Sequence, residues 1–250
     1  MSRLIGSVMA LVLVASAALA ALPPGGTFID DDLGPHEGNI EALVASGVVN
    51  GCSVDPPLYC PLMLVTRAET AALLVRSIVA LEDSVPYRGT FADVPEDAWY
   101  AEAVEQAADL GIMSGTDDGR FLPNEPVTRS EMAVSLVRAL EGERELLPAW
   151  GVFADVPLTA DYAQHVERVW ELGISMGCST DPLSFCPLEL TTRGEMASFL
   201  ARGLGLDPMI PPPRADIPST TSTSTTVPIR TTTTTVPPTT TTTCPPAAPI

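Results

Sequence analysis

The chain has 250 residues and a formal charge of −18, and all 13 of its basic residues are Arg. A surface this acidic excludes nucleic acid and anionic membrane faces as partners, because both select basic surfaces. It suits a soluble extracellular protein, where acidity serves solubility.

Residues 1–20 read as a secretory signal peptide. Arg3 is the basic start, Leu4 to Ala17 the apolar run, and Ala18-Leu19-Ala20 the small-residue cleavage site. The alternative is an uncleaved N-terminal membrane anchor. Residues 207–250, rich in Thr and Pro, cannot bury enough apolar surface to offset chain entropy. They read as a disordered stalk or wall-crossing segment, either O-glycosylated or unmodified. The folded part is therefore about residues 27–206.

That part repeats internally, over 27–81, 91–141 and 153–206. Each repeat opens with Phe-x-Asp: Phe28-Ile29-Asp30, Phe91-Ala92-Asp93 and Phe153-Ala154-Asp155. Repeats 2 and 3 continue with Val-Pro, which keeps the backbone extended or turned. A first helix follows, about Trp99 to Leu110 in repeat 2, with Val104, Ala107, Ala108 and Leu110 as its apolar stripe. Val166, Val169, Trp170 and Leu172 occupy those points in repeat 3, and Ile40, Leu43 and Val44 in repeat 1. Gly47-Val48, Gly111-Ile112 and Gly173-Ile174 read as Gly caps with an apolar contact just beyond.

A loop comes next. In repeat 1 it runs Gly51-Cys52-Ser53-Val54-Asp55-Pro56 to Cys60-Pro61; in repeat 3 it runs Gly177-Cys178-Ser179-Thr180-Asp181-Pro182 to Cys186-Pro187. The cysteine spacing is the same in both. The loop of repeat 2, Gly115 to Pro123, lacks both cysteines and turns on Asp118-Gly119. Joint presence and joint absence predict Cys52–Cys60 and Cys178–Cys186 disulfides, which the secretory context favours. A four-cysteine zinc site joining the loops is the alternative, and Cys244 is left over. The acidic middle loop invites calcium but lacks the ligand order of an EF-hand, so no metal or other cofactor is assigned.

The second helix of each repeat starts at Thr66-Arg67-Ala68-Glu69, Thr128-Arg129-Ser130-Glu131 or Thr192-Arg193-Gly194-Glu195, about 62–64 residues apart. Thr and Glu three apart form a capping box. The box leaves the Arg unexplained, since a cation in the first turn opposes the helix dipole by roughly 0.3–1 kcal/mol. Met132, Ala133, Leu136, Val137 and Leu140 line the core face of this helix in repeat 2; Thr70, Ala71, Leu74, Val75 and Ile78 do so in repeat 1, and Met196, Ala197, Leu200, Ala201 and Leu204 in repeat 3. A second Arg follows nine residues later, as Arg76, Arg138 and Arg202, near the helix end that the dipole favours. One helix pair cannot bury its own apolar face, and three can. The expected fold is all-α: three helix-loop-helix repeats in a pseudo-threefold assembly with the second helices central.

The ordered set in repeat 2 is Phe-x-Asp-Val-Pro, Trp99-Tyr100, a Gly-Ile helix end, Gly-x-x-Asp-Gly-x-Phe-x-Pro and Thr-Arg-x-Glu. It resembles the S-layer homology domain, and the resemblance extends over all three repeats. It implies a three-pronged helical module outside the cell that attaches proteins to secondary cell-wall polysaccharide, typically bearing pyruvylated sugars, in grooves between repeats. It assigns Arg67, Arg129 and Arg193 to the pyruvyl carboxylate, consistent with the fork of a guanidinium and with helix N-terminal amides nearby. It assigns Trp99 to a sugar face, with Tyr100 and Tyr162 beside it. His36 and Asp161 stand in the Trp position of the other repeats, so a groove of Trp99 and Arg129 is the expected site. The expected function is non-catalytic anchoring at the bacterial cell surface or wall; the alternative is a structural or adhesive surface protein whose repeats bind proteins. Two histidines, His36 and His165, and no nucleophile–base order argue against an enzyme.

Overall fold

The computed structural model describes residues 26–78, 85–142 and 144–210. The expected signal peptide, nearly all of the Thr/Pro-rich tail and Cys244 lie outside them. Six helices carry most of the fold: α1 (Glu37–Ala45), α2 (Arg67–Ile78), α3 (Ala101–Asp109), α4 (Arg129–Glu141), α5 (Ala163–Glu171) and α6 (Arg193–Gly203). The all-α expectation needs one correction. Two antiparallel ribbons are present, β1 (Ser53–Val54) with β2 (Pro57–Leu58) and β3 (Ser179–Thr180) with β4 (Leu183–Ser184). Each is built inside a cystine loop, where Cys52–Cys60 and Cys178–Cys186 bring Cα atoms to 6.0 Å. In the shorter middle loop the Thr116 and Gly119 amides donate to Arg120 and Thr116 carbonyls instead, which closes a turn without a ribbon.

The first helices end as their sequences predict. Gly47, Gly111 and Gly173 take φ of +74°, +69° and +70°, which a side chain would strain. The next residues, Val48, Ile112 and Ile174, are buried and donate back to Leu43, Ala107 and Val169 carbonyls. Within the second helices, Ala71, Leu74, Met132, Leu136, Met196 and Leu200 are fully buried.

Helices pack across repeats. α3 lies on α2, α5 on α4, and α1 on α6, while α4 touches both α2 and α6. The first helix of each repeat thus covers the second helix of another. The strands of chain leading into α2, α4 and α6 close a ring: Val65 N–H donates to Thr191 O (3.0 Å), Thr191 N–H to Val127 O (2.9 Å), and Val127 N–H to Val65 O (3.1 Å). Val65, Val127 and Thr191 are completely buried, so each amide in this ring needs the partner it has.

The opening Phe-x-Asp holds the loop of its own repeat. Asp30 accepts from Tyr59 and Cys60 amides, Asp93 from Phe121 and Leu122, and Asp155 from Phe185 and Cys186, all at 2.7–2.8 Å. Cys60, Leu122 and Cys186 each carry positive φ of 58–59°, and the carboxylate holds that strained turn. The Phe of the motif packs on the aromatic of the loop, Phe28 on Tyr59, Phe91 on Phe121 and Phe153 on Phe185, with centroids 5.2–5.4 Å apart. Glu41, Glu105 and Glu167, buried on the first helices, accept from the segment before each motif, at Thr27, Thr90 and Gly151 amides among others.

Candidate functional site

The capping boxes form at all three second helices. Glu69, Glu131 and Glu195 amides donate to Thr66, Thr128 and Thr192 hydroxyls at 3.2 Å, and the Thr amides donate back to Oε2 of the same Glu residues. The preceding two amides are also taken. Arg67 and Ala68 amides donate to Glu125 and Pro123 carbonyls, Arg129 and Ser130 to Glu189 and Pro187, and Arg193 and Gly194 to Met63 and Pro61. The expectation of helix-terminal amides open to an anion is therefore corrected: the first three are spent on neighbouring backbone and on the cap.

The motif Arg crosses from one repeat to another by the same route each time. Arg67 Nε donates to Phe121 O (2.7 Å), Arg129 Nε to Phe185 O (2.9 Å), and Arg193 Nε to Tyr59 O (3.1 Å). Each guanidinium lies over the ring of that same residue, 4.9–5.0 Å from its centroid. Each then meets the free oxygen of the next capping-box Glu: Arg67 with Glu131 at 3.5 Å, Arg129 with Glu195 at 3.3 Å, and Arg193 with Glu69 at 2.8 Å. One Glu thus caps its own helix and pairs with an Arg from another repeat. The three pairs close a second ring around the molecule. It explains why an acidic chain places Arg at the unfavourable end of a helix three times. Burial pulls the Arg67 and Arg129 guanidinium pKa values below the usual range, and Glu131 and Glu195 oppose that shift. The Arg129 and Arg193 side chains are only 5% and 4% exposed, whereas Arg67 is 13% exposed.

Two grooves of the same plan open beside this ring. The first, of about 280 Å³, is lined by Arg67, Ser114, Ser130, Glu131, Ser135, Arg138, Asp161 and Tyr162. The second, of about 380 Å³, is lined by Arg129, Ser175, Glu195, Ser198, Phe199, Arg202 and His36. Each joins a motif Arg, the second Arg on the second helix of the next repeat, and the N-cap residue of a first helix. That residue is Tyr162 for α5 and His36 for α1; Tyr100 holds the position for α3. His36 thus stands in the Tyr position, not the Trp position. Trp99 and Arg129 share neither of these grooves: Arg129 lines the second, whereas Trp99 stands 40% exposed before α3 with its ring edge-on to Tyr100 at 5.3 Å.

The grooves differ in what is left to bind. Arg202 donates to Ile174 O (3.0 Å), and His36 Nδ1 is 2.8 Å from Ser198 Oγ. Burial, with Arg202, lowers the His36 pKa and so favours the neutral ring, while Glu195 opposes the shift. In the first groove, Arg138 has no ion-pair or hydrogen-bond partner among the described residues, and its cationic field, after burial, helps lower the pKa of His165. The sequence placed Arg138 as helix support; its charge is left free to face a ligand.

Residues 90–133 match the family model described as the S-layer homology domain. The chain carries a domain of this family. Among curated proteins, the chain is 35% identical over 167 residues to the surface-layer 125 kDa protein of Lysinibacillus sphaericus, covering 65% of this chain and 13% of that protein. It is 33% identical over 166 residues to the exoglucanase XynX of Acetivibrio thermocellus, covering 64% of this chain and 14% of that one. Against the S-layer protein of Bacillus thuringiensis subsp. finitimus it is 29% identical over 204 residues, 80% of this chain and 24% of the relative. The chain therefore spans a small fraction of the length of the relatives it matches.

Proposed function

We propose that this chain is a secreted, non-catalytic module that binds secondary cell-wall polysaccharide and so anchors a protein at the bacterial cell surface. Residues 27–81, 91–141 and 153–206 would be three S-layer homology units in a pseudo-threefold arrangement. The two closed rings of contacts support that reading, because each unit uses the same residues toward its neighbour. This chain matches 13% of a surface-layer protein and 14% of an exoglucanase, so the likeness supports a module found in larger proteins and does not carry over the activity of either whole protein.

The observation that carries the proposal is Arg138, a guanidinium without a partner among the described residues, on the wall of a groove that also presents Tyr162, Asp161, Ser130 and Ser135. Arg138 would take a carboxylate of the polymer in a forked contact. The hydroxyls and Asp161 would bond sugar hydroxyls, and Tyr162 would offer a ring face. Arg67, partly exposed beside it, adds positive charge. Arg129 and Arg193 serve chiefly to hold the units together. In the second groove, Arg202, already bonded to Ile174 O, and His36 would give a weaker anion site, and Trp99 and Tyr100 would serve a third, beside α3. A pyruvylated sugar supplies the carboxylate that this chemistry calls for.

Leu62 and Leu188, 87% and 77% exposed beside the cystine loops, favour a second reading in which the module docks proteins. Sedimentation with proteinase-treated wall, before and after chemical depyruvylation, separates the two. Binding that is lost on depyruvylation supports the carboxylate contact. Absence of binding to protein-free wall overturns the polysaccharide reading.

A further inference from the structure

Repeat 1 departs from the other two at one place. After Phe-x-Asp, repeats 2 and 3 carry Val94-Pro95 and Val156-Pro157, and their first helices begin with Ala101 and Ala163. Val94, Ala101, Val156 and Ala163 are all buried. Repeat 1 has Asp31-Asp32 and Glu37 at these points. Three apolar positions have thus become carboxylates together, although Asp31 and Glu37 remain only 3% and 8% exposed.

Neighbouring carboxylates are accounted for. Asp30 holds the Tyr59 and Cys60 amides, Glu41 holds Thr27, and Glu37 Oε2 accepts from the Leu33 amide at 2.8 Å. Both carboxylate oxygens of Asp31 are buried with no hydrogen-bond partner among the described residues. An unpaired buried carboxylate costs several kcal/mol, so such a group calls for an explanation. No Arg is paired with it among the described residues, and the charged groups around it are Glu41, Glu37 and Asp30. One oxygen each from Asp31, Asp32 and Glu37 lies within 4.8 Å of the others. Calcium binds carboxylate oxygens at about 2.3–2.6 Å, so two ligands on opposite sides of one ion stand roughly 4.8 Å apart.

We propose that Asp31, Asp32 and Glu37 form a calcium site, with water completing the coordination. All three donors are hard oxygens, which fits calcium and not a thiolate- or imidazole-seeking metal. The ion neutralises the orphaned Asp31 and ties the segment after Phe28 to the first turn of α1. It also fixes the position of His36, one residue before Glu37, on the wall of the second groove. Extracellular modules bind calcium with Kd of about 10⁻⁴–10⁻³ M, and three carboxylates place this site in that range.

The test is calorimetric titration of calcium into the EDTA-treated full chain, with thermal unfolding in parallel. One saturable site is expected, and at about one hundred times Kd the midpoint should rise by roughly 5–10 °C. Asp31→Val restores the residue type of repeats 2 and 3; it should fold, lose the heat, and unfold at the same temperature with and without calcium. Glu37→Gln, checked by far-UV circular dichroism, should weaken binding at least tenfold. Absence of saturable heat with unchanged unfolding in calcium overturns the proposal. So does heat of equal size and affinity in Asp31→Val, which places the ion elsewhere on the acidic surface.

Discussion

Removing the Arg193 side chain tests the structural role of the Thr-Arg-x-Glu motif. In the native chain its Nε holds Tyr59 O at 3.1 Å, its guanidinium lies 5.0 Å from the Tyr59 ring centroid, and NH1 meets Glu69 Oε1 at 2.8 Å. Both charged side chains are under a tenth exposed, so Arg193→Ala strands the Glu69 charge in a dry contact between repeats. Breaking a buried pair from one side costs about 3–5 kcal/mol. For a folded region of this size that is a fall of roughly 6–20 °C in the unfolding midpoint. Urea unfolding followed by far-UV circular dichroism measures it. Glu69→Gln alone should also destabilise, but the double variant should lose less than the sum by about 0.5–3 kcal/mol, because the stranded charge is gone. A loss under about 1 kcal/mol in Arg193→Ala, or strict additivity in the cycle, would refute the idea that the motif Arg clasps neighbouring repeats.

Other outcomes follow from the same geometry. Cys178→Ser with Cys186→Ser opens a loop of sequence separation 8 and should cost about 2–3 kcal/mol on the loop-entropy account, read by urea unfolding with and without reductant. Asp155→Ala removes the acceptor of the Phe185 and Cys186 amides and should lower stability by about 2–3 kcal/mol, with Asp155→Asn losing less. His165 sits with its pKa lowered by burial and by Arg138, and Asp161 opposes the shift. A base whose folded pKa lies below its unfolded value near 6.5 stabilises the fold above that pH and loses the contribution as pH falls through the folded pKa. The stability difference between pH 7 and pH 5 should therefore shrink in His165→Gln.

Local features of the fold were legible because their causes are local. The capping boxes and Gly helix ends each involve partners within five residues and took the expected form; the apolar stripes did so except at their C-terminal ends, where Ile78, Leu110 and Leu172 are exposed as their helices run out of the core. The disulfides were legible because one loop spacing occurs twice and its cysteines vanish together in the third copy. The role of the motif Arg was not, because its partners lie 46–134 positions away, on another repeat. Nor was the task of Phe-x-Asp, whose carboxylate reaches 28–31 residues ahead. The His36 assignment slipped by one because the segment before α1 is one residue shorter than its counterparts before α3 and α5, as the structure makes plain at the helix starts. The place of Arg138 near a helix C-terminus suggests helix support; what the sequence does not show is that no carboxylate pairs with it among the described residues, although Glu131 and Asp161 line the same groove.

The most direct measurement is the affinity of solubilised wall polysaccharide for the native chain and for Arg138→Gln, by titration calorimetry. Arg138 has no partner among the described residues, so the substitution should change stability by no more than about 0.5 kcal/mol. The account predicts that it weakens binding at least tenfold, since a charge-assisted contact contributes about 1.5–3 kcal/mol. Equal affinity in the two chains, or no binding by either, would contradict it.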